Sequence, residues 1–95
     1  MPVVDLHGIR IHYIDRPGPG DVPLVLLHGL GSSSRDWERN LESLGDGRRV
    51  VVPDLRGFGK SDRPPGPHRP QDFAADVSAL LEELKIERFD LLGYS

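Results

Sequence analysis

Short apolar runs separated by Gly- and Pro-rich turns make up the first half of the chain. Residues 2–7 and 9–15 are two such runs, divided by a His-Gly pair. In the second run every other side chain from Ile9 to Tyr13 is apolar, a period of two that is typical of a half-buried strand. The chain therefore opens with two predicted strands.

Three further runs contain adjacent apolar side chains. They lie at 22–28, 49–53 and 88–93, and the first contains Leu-Val-Leu-Leu. A short run without alternation is typical of a strand covered on both faces, as in a parallel sheet. These runs predict three buried strands.

Helical spacing occurs in two places. Trp37, Leu41 and Leu44 recur at intervals of four and three residues, behind a possible N-cap at Ser33 with Asp36 three residues later. A second helix is predicted from Pro70, since proline suits the first helical position. Its expected core stripe is Phe73, Val77, Leu80, Leu81 and Leu84, with Asp76, Glu82 and Glu83 facing away.

The resulting order, β-β-β-α-β-α-β, predicts an α/β sheet with crossover helices. Composition agrees: 37% of the 95 residues are hydrophobic and 28% are charged. The net charge of −3 argues against nucleic-acid binding, which requires a basic surface. The absence of cysteine excludes disulfides, thiolate chemistry and Cys-based zinc sites.

The sequence carries no membrane or export signal. Its longest apolar run is far shorter than the ~20 residues of a membrane span. The amino terminus lacks the cationic start and apolar stretch of a secretory signal. A cytoplasmic protein with no membrane partner is the expectation.

Gly-containing segments follow each of the three buried strands. They are His28-Gly29-Leu30-Gly31, Asp54 to Ser61 and Gly93-Tyr94-Ser95. Open α/β sheets bind ligands outside these strand ends, so the candidate chemistry is expected there.

Taken together, the order and spacing of these segments resemble the amino-terminal half of the α/β-hydrolase family over essentially all 95 residues. That family carries its nucleophile in a Gly-x-Ser-x-Gly turn between a strand and a helix. Gly93-Tyr94-Ser95 matches the first three positions. The resemblance implies that Ser95 is the nucleophile and that the backbone N–H of Leu30 is one oxyanion donor. Gly29 and Tyr94 are expected to contact substrate.

Other matching positions are expected to be structural. His28 is interpreted as organising its loop, and Asp54 and Arg56 as tying down the next one by hydrogen bonds. The family order Ser, Asp or Glu, His places both triad partners after the nucleophile, so no histidine of this chain is assigned as the base. Serine at position 95 argues against the epoxide hydrolase and haloalkane dehalogenase branches, which by the resemblance use aspartate.

The resemblance implies a cofactor-free and metal-free serine hydrolase of a small-molecule ester, lactone or other activated carbonyl. Carbon–carbon bond hydrolysis is a close alternative. A second hypothesis is a catalytically silent, truncated product that acts only as a folding or binding partner. Residues 1–95 are expected to be an incomplete part of one domain that is inactive on its own. The isolated chain is expected to be poorly soluble or partly disordered, because its last strand would be an exposed apolar edge. Substrate identity and oligomeric state stay open.

Overall fold

The computed structural model describes residues 2–20, 22–29, 33–35, 37, 47–65 and 68–93. All five predicted strands and the second predicted helix are confirmed. Most of the observed strand ends differ from the predicted ones by one or two residues. The first predicted helix lies largely outside the described residues. The observed elements are β1 (Val3–Leu6), β2 (Ile9–Arg16), β3 (Leu24–Leu27), β4 (Val50–Pro53), α1 (Pro70–Glu83) and β5 (Asp90–Gly93).

The five strands form one mixed sheet in the order β1-β2-β4-β3-β5. β2 pairs antiparallel with both β1 and β4. β3 pairs in parallel with β4 on one side and β5 on the other. This confirms the predicted α/β class with a mixed sheet, in which parallel pairing is confined to the three strands that precede the Gly-containing segments.

A two-residue turn joins β1 to β2. His7 and Gly8 both have positive φ, 55° and 82°. Two positive φ angles at the centre of a two-residue hairpin are typical of a type I′ turn, whose twist matches that of the strands. The turn is further held by the Gly8 N–H, which donates to Asp5 Oδ1 at 3.0 Å.

The sheet has a buried cluster on each face. On the α1 face, Leu80 packs against side chains from β1, β2 and β4, among them Val51. On the opposite face, Trp37 packs with Val50 and Val52 of β4 and with Leu24 and Leu26 of β3. Successive β4 side chains thus enter different clusters, which is why this strand is apolar without alternation.

Helix α1 begins and ends with recognisable caps. The Arg69 N–H donates to Asp72 Oδ2 at 2.9 Å, and this bond lowers the pKa of Asp72. At the other end Lys85 has φ 59°, and the N–H groups of Lys85 and Ile86 donate to the carbonyls of Glu82 and Leu81. That pair of bonds is the Schellman arrangement.

The prediction that Asp76 faces solvent is wrong. Asp76 is only 3% exposed and pairs with Arg56 from the loop after β4. An arginine reaching the inner face of α1 supplies the partner that a buried carboxylate needs.

Strand β5 lies at the edge of the sheet. All four of its residues are exposed, with Leu91 at 55% and Leu92 at 39%. The apolar pattern alone suggested a buried strand, but its edge position leaves both faces uncovered by the described residues. The expected exposed apolar edge is confirmed.

Candidate functional site

A cleft of about 1500 Å³ opens between α1 and the β3–β5 part of the sheet. Gly29 lines it just beyond the end of β3, and Gly93 lines it at the end of β5. Leu27 and Gly93 are paired neighbours across the two parallel strands. Gly29 and Gly93, which belong to the segments predicted to hold the oxyanion donor and the nucleophile, therefore lie at the same end of the sheet and line the same cleft.

Three of the predicted site residues lie outside the described part of the chain. They are Leu30, Tyr94 and Ser95. Gly29, His28, Asp54 and Arg56 are described, and all but Arg56 are fully buried.

The His28 imidazole joins the ends of β3 and β4. The Leu55 N–H donates to Nε2 at 2.9 Å, and Nδ1 lies 2.8 Å from the Gly29 carbonyl oxygen. Since the Leu55 amide only donates, Nε2 must be the unprotonated nitrogen, and Nδ1–H donates to Gly29. Both nitrogens are thereby used in holding the backbone.

Asp54 makes the reciprocal connection from β4 to the loop after β3. Its Oδ1 accepts from the Ser34 N–H at 2.6 Å, and its Oδ2 accepts from the Lys60 N–H at 3.1 Å. Gly59, at φ 55°, packs so closely that a Cβ there would collide with the carboxylate. The Asp54 carboxylate is thus enclosed by backbone that it also organises.

The loop after β4 is also bound to β2. The Asp54 N–H donates to the His12 carbonyl at 2.7 Å, and Ser61 Oγ both donates to the Asp54 carbonyl and accepts from the His12 N–H. Further along, Asp62 exchanges bonds with the backbone of Arg10. Burial lowers the pKa of His12 below its ordinary value of 6.5.

Arg56 and Asp76 form a two-pronged ion pair between that loop and α1. Arg56 Nε and Nη2 lie 2.5 and 2.6 Å from the two Asp76 oxygens. The hydrogen bond to Asp76 raises the pKa of Arg56, so the guanidinium stays charged. The pair holds the loop against the helix that forms one wall of the cleft.

Aromatic rings line the cleft between these anchors. The Phe58 ring meets the His28 ring edge to face, with centroids 5.7 Å apart, and lies 6.4 Å from the Phe73 ring. His68 continues the row at 6.1 Å from Phe73. This wall of the cleft therefore combines the apolar rings of Phe58 and Phe73 with the imidazoles of His28 and His68. In the part of the chain that the structure describes, no three His, Asp or Glu side chains are grouped to hold a metal ion.

Sequence reasoning missed the roles of Asp76 and of the aromatic row. A signal for Asp76 existed: it lies three residues after Phe73 and four before Leu80, both on the apolar stripe. A carboxylate at that spacing points inward and requires a cation. The Phe58–Phe73 contact had no such signal, because it depends on where the loop after β4 folds.

Comparison with known proteins agrees with this geometry. The sequence model of the α/β hydrolase fold family matches residues 22–95. The chain belongs to that family. It is 41% identical over 90 residues to a non-heme chloroperoxidase from Streptomyces lividans, covering 93% of this chain and 32% of the relative. It is 35% identical over 89 residues to a soluble epoxide hydrolase from Corynebacterium sp. strain C12, covering 94% and 30%.

A solved structure shows the same likeness in three dimensions. The enol-lactonase from Burkholderia xenovorans LB400 superposes with a TM-score of 0.88 at 32% identity, covering 99% of this chain and 37% of the lactonase. The chain thus spans about a third of the length of these proteins. Within the described residues, no helix has the length and apolarity that crossing a membrane requires.

Proposed function

We propose that the protein carrying these residues is a cofactor-free serine hydrolase that uses Ser95 as its nucleophile. The observation that carries the proposal is the convergence of Gly29 and Gly93 on one cleft. The predicted oxyanion donor, Leu30, is one residue beyond the first, and Ser95 is two beyond the second. Residues 1–95 would then be the amino-terminal part of a single catalytic domain.

The proposed reaction is acyl transfer to water. The Ser95 hydroxyl attacks the acyl carbon while a base takes its proton, and the carbonyl electron pair moves onto oxygen. The Leu30 N–H and a second donor stabilise that oxyanion. The leaving group departs with the proton, and water then releases the acid and regenerates the serine. Gly29 and Tyr94 are proposed to contact the substrate.

The base is proposed to lie after Ser95 in the chain, as the family order implies. The hydrogen bonds of His28 support this assignment, since both of its ring nitrogens already hold backbone groups. His28, Asp54 and Arg56 are proposed to be structural residues beside the site.

Overall similarity does not choose among the branches of the family. An epoxide hydrolase and a lactonase match the chain about equally well. Ser95 is the residue that favours an ester, a lactone or another activated carbonyl, because the resemblance implies aspartate in the epoxide hydrolases. Carbon–carbon bond hydrolysis by the same serine is retained as the alternative chemistry.

A fluorophosphonate probe tests the nucleophile directly. We expect the probe to label the wild-type protein on Ser95, with loss of labelling in Ser95→Ala. Ser78→Ala is the matched control, since Ser78 lines the same cleft and is expected to leave labelling intact. Labelling that survives in Ser95→Ala would contradict the assignment.

Substrate assays separate the chemical alternatives. Release of nitrophenol from p-nitrophenyl acetate is expected, and styrene oxide should be left unchanged. Faster cleavage of a conjugated diketone than of the ester would favour carbon–carbon bond hydrolysis. A wild-type protein that neither labels nor hydrolyses, with an intact mass of 10.5 kDa from its source, would favour the silent truncated product.

A further inference from the structure

His12, in the middle of β2, holds the loop after β4 through both of its backbone groups. Its N–H donates to Ser61 Oγ at 2.8 Å, and its carbonyl accepts from the Asp54 N–H at 2.7 Å. Ser61 Oγ in turn donates to the Asp54 carbonyl at 2.6 Å. The segment from Asp54 to Ser61 is therefore fastened to β2 at a single residue, and that residue is titratable.

The side chain of the same residue has a buried nitrogen without a partner. His12 Nδ1 is buried, and no donor or acceptor in the described part of the chain forms a hydrogen bond with it. A neutral imidazole can leave one nitrogen without hydrogen, whereas an imidazolium carries an N–H on both. A proton would thus create a buried charged group whose N–H lacks an acceptor, which costs free energy. The closed loop therefore disfavours the charged ring.

The charged groups near the ring do not reverse this preference. Burial is the largest influence and lowers the pKa of His12; the Asp54 carboxylate opposes it, and the Lys60 ammonium and the amino terminus add to it. Both oxygens of the Asp54 carboxylate already accept from backbone N–H groups. Farther along, the Arg10 and Asp62 side chains lie 4.0 Å apart as an ion pair. The surroundings of His12 thus hold its ring neutral while the loop is closed.

We propose that His12 is a pH-sensitive switch: uptake of a proton by its ring releases the loop after β4, residues 54–62, from β2 while the sheet stays folded. Opening the loop brings the ring into contact with water, which solvates the charged form, so proton uptake and opening favour each other. The loop carries Leu55 and Phe58, which line the cleft. Acid therefore loosens one wall of the cleft, whether or not Ser95 acts as the nucleophile.

The expected size of the effect follows from the number of protons. One ring takes up one proton, so the equilibrium between the closed and the open loop can change by at most about tenfold per pH unit. The change begins near pH 6.5, the ordinary pKa of histidine, because the open loop leaves the ring in water. Between pH 7.5 and 5.5 we therefore expect the open loop to gain about three- to tenfold in population.

Hydrogen–deuterium exchange of the whole protein that carries these residues, read by mass spectrometry of its peptides, provides the test. Wild type and His12→Gln are compared at the same pH, so the intrinsic pH dependence of amide exchange cancels. Glutamine leaves the backbone bonds in place and takes up no proton. His7→Asn is the matched control: it removes a histidine from the β1–β2 turn, where asparagine suits the positive φ.

At pH 7.5 wild type and His12→Gln should exchange equally over residues 54–62. At pH 5.5 the wild-type loop should exchange about three- to tenfold faster than the loop of His12→Gln, and His7→Asn should match wild type. Residues 24–27 and 50–52, in β3 and β4, should stay equally protected in all three proteins at both pH values.

Equal exchange of the loop in wild type and His12→Gln at pH 5.5 would overturn the inference. Loss of protection in β3 and β4 together with the loop would also overturn it, because acid would then unfold the sheet rather than open the loop. If His12→Gln does not fold, His12→Leu, which likewise takes up no proton, replaces it with the same expected results. The comparison of loop with strands in wild type needs no variant and can refute the proposal by itself.

Discussion

Replacing Gly59 by alanine tests how tightly the loop after β4 is built around Asp54. A Cβ at position 59 would lie 2.5 and 2.6 Å from the two carboxylate oxygens. The carboxylate has nowhere to move, because it is 2% exposed and accepts from the Ser34 and Lys60 N–H groups. The alanine must therefore break at least one of those bonds.

The magnitude has two parts. Left-handed backbone at φ 55° costs alanine about 1–2 kcal/mol. Losing a hydrogen bond to a charged group adds about 1.5–3 kcal/mol. We expect Gly59→Ala to lower the free energy of unfolding by the sum of the two parts, about 2.5–5 kcal/mol.

Urea unfolding followed by circular dichroism at 222 nm measures the change. Gly8→Ala is the matched control: its φ is 82°, and among the described residues no atom approaches its Cβ position within 4 Å. Gly8→Ala should therefore lower the free energy of unfolding only by the cost of left-handed backbone, about 1–2 kcal/mol. In an Asp54→Ala background the cost of Gly59→Ala should likewise fall to about 1–2 kcal/mol, since the atoms that collide are gone.

The reasoning is refuted if Gly59→Ala costs no more than Gly8→Ala. It is also refuted if its cost is the same with and without the Asp54 carboxylate. Either result would mean that the loop relaxes around the new methyl group without loss of a hydrogen bond.

Three further predictions concern stability and association. Asp76→Asn should lower the free energy of unfolding, measured in urea, by about 3 kcal/mol because Arg56 loses its buried counter-ion. The double variant Arg56→Met with Asp76→Leu should recover most of the lost stability, and an equal loss in that variant would contradict the ion-pair account. The lowered pKa of His12 means that the unfolded chain takes up its proton near pH 6.5 and the folded chain only at a lower pH, so stability should fall as the pH drops from about 7.5 to 5.5. The fall should be less steep in His12→Gln, and parallel profiles would count against this account. The 95 residues expressed alone should sediment as aggregates, because Leu91 and Leu92 are exposed on an edge strand, whereas a monomer with a sharp cooperative melt would disprove this.

Local pattern was sufficient for the elements of this chain. Alternation from Ile9 to Tyr13, the continuous apolar runs and the proline at the start of α1 each predicted the observed strand or helix. These features depend only on residues a few positions apart, because the 2-residue period of a strand and the 3.6-residue period of a helix show up directly in the order of apolar and polar residues. The Gly-containing segments were placed at the carboxyl ends of parallel strands for the same reason, since the order of elements dictates where those ends meet.

The contacts that shape the site depend on residues distant in sequence. His28 bonds to an amide 27 positions away, Arg56 pairs across 20 positions, and Asp54 accepts from Ser34 across the same separation. A composition or a period carries no record of such a partner, so the pairing of Asp76 with Arg56 could not be predicted, although the spacing of Asp76 from Phe73 and Leu80 indicates an inward-facing side chain. Hydrophobic periodicity reports which side of an element is buried, but the pairing of buried polar groups is settled when loops from different strands come together, because each such group must then find its partner.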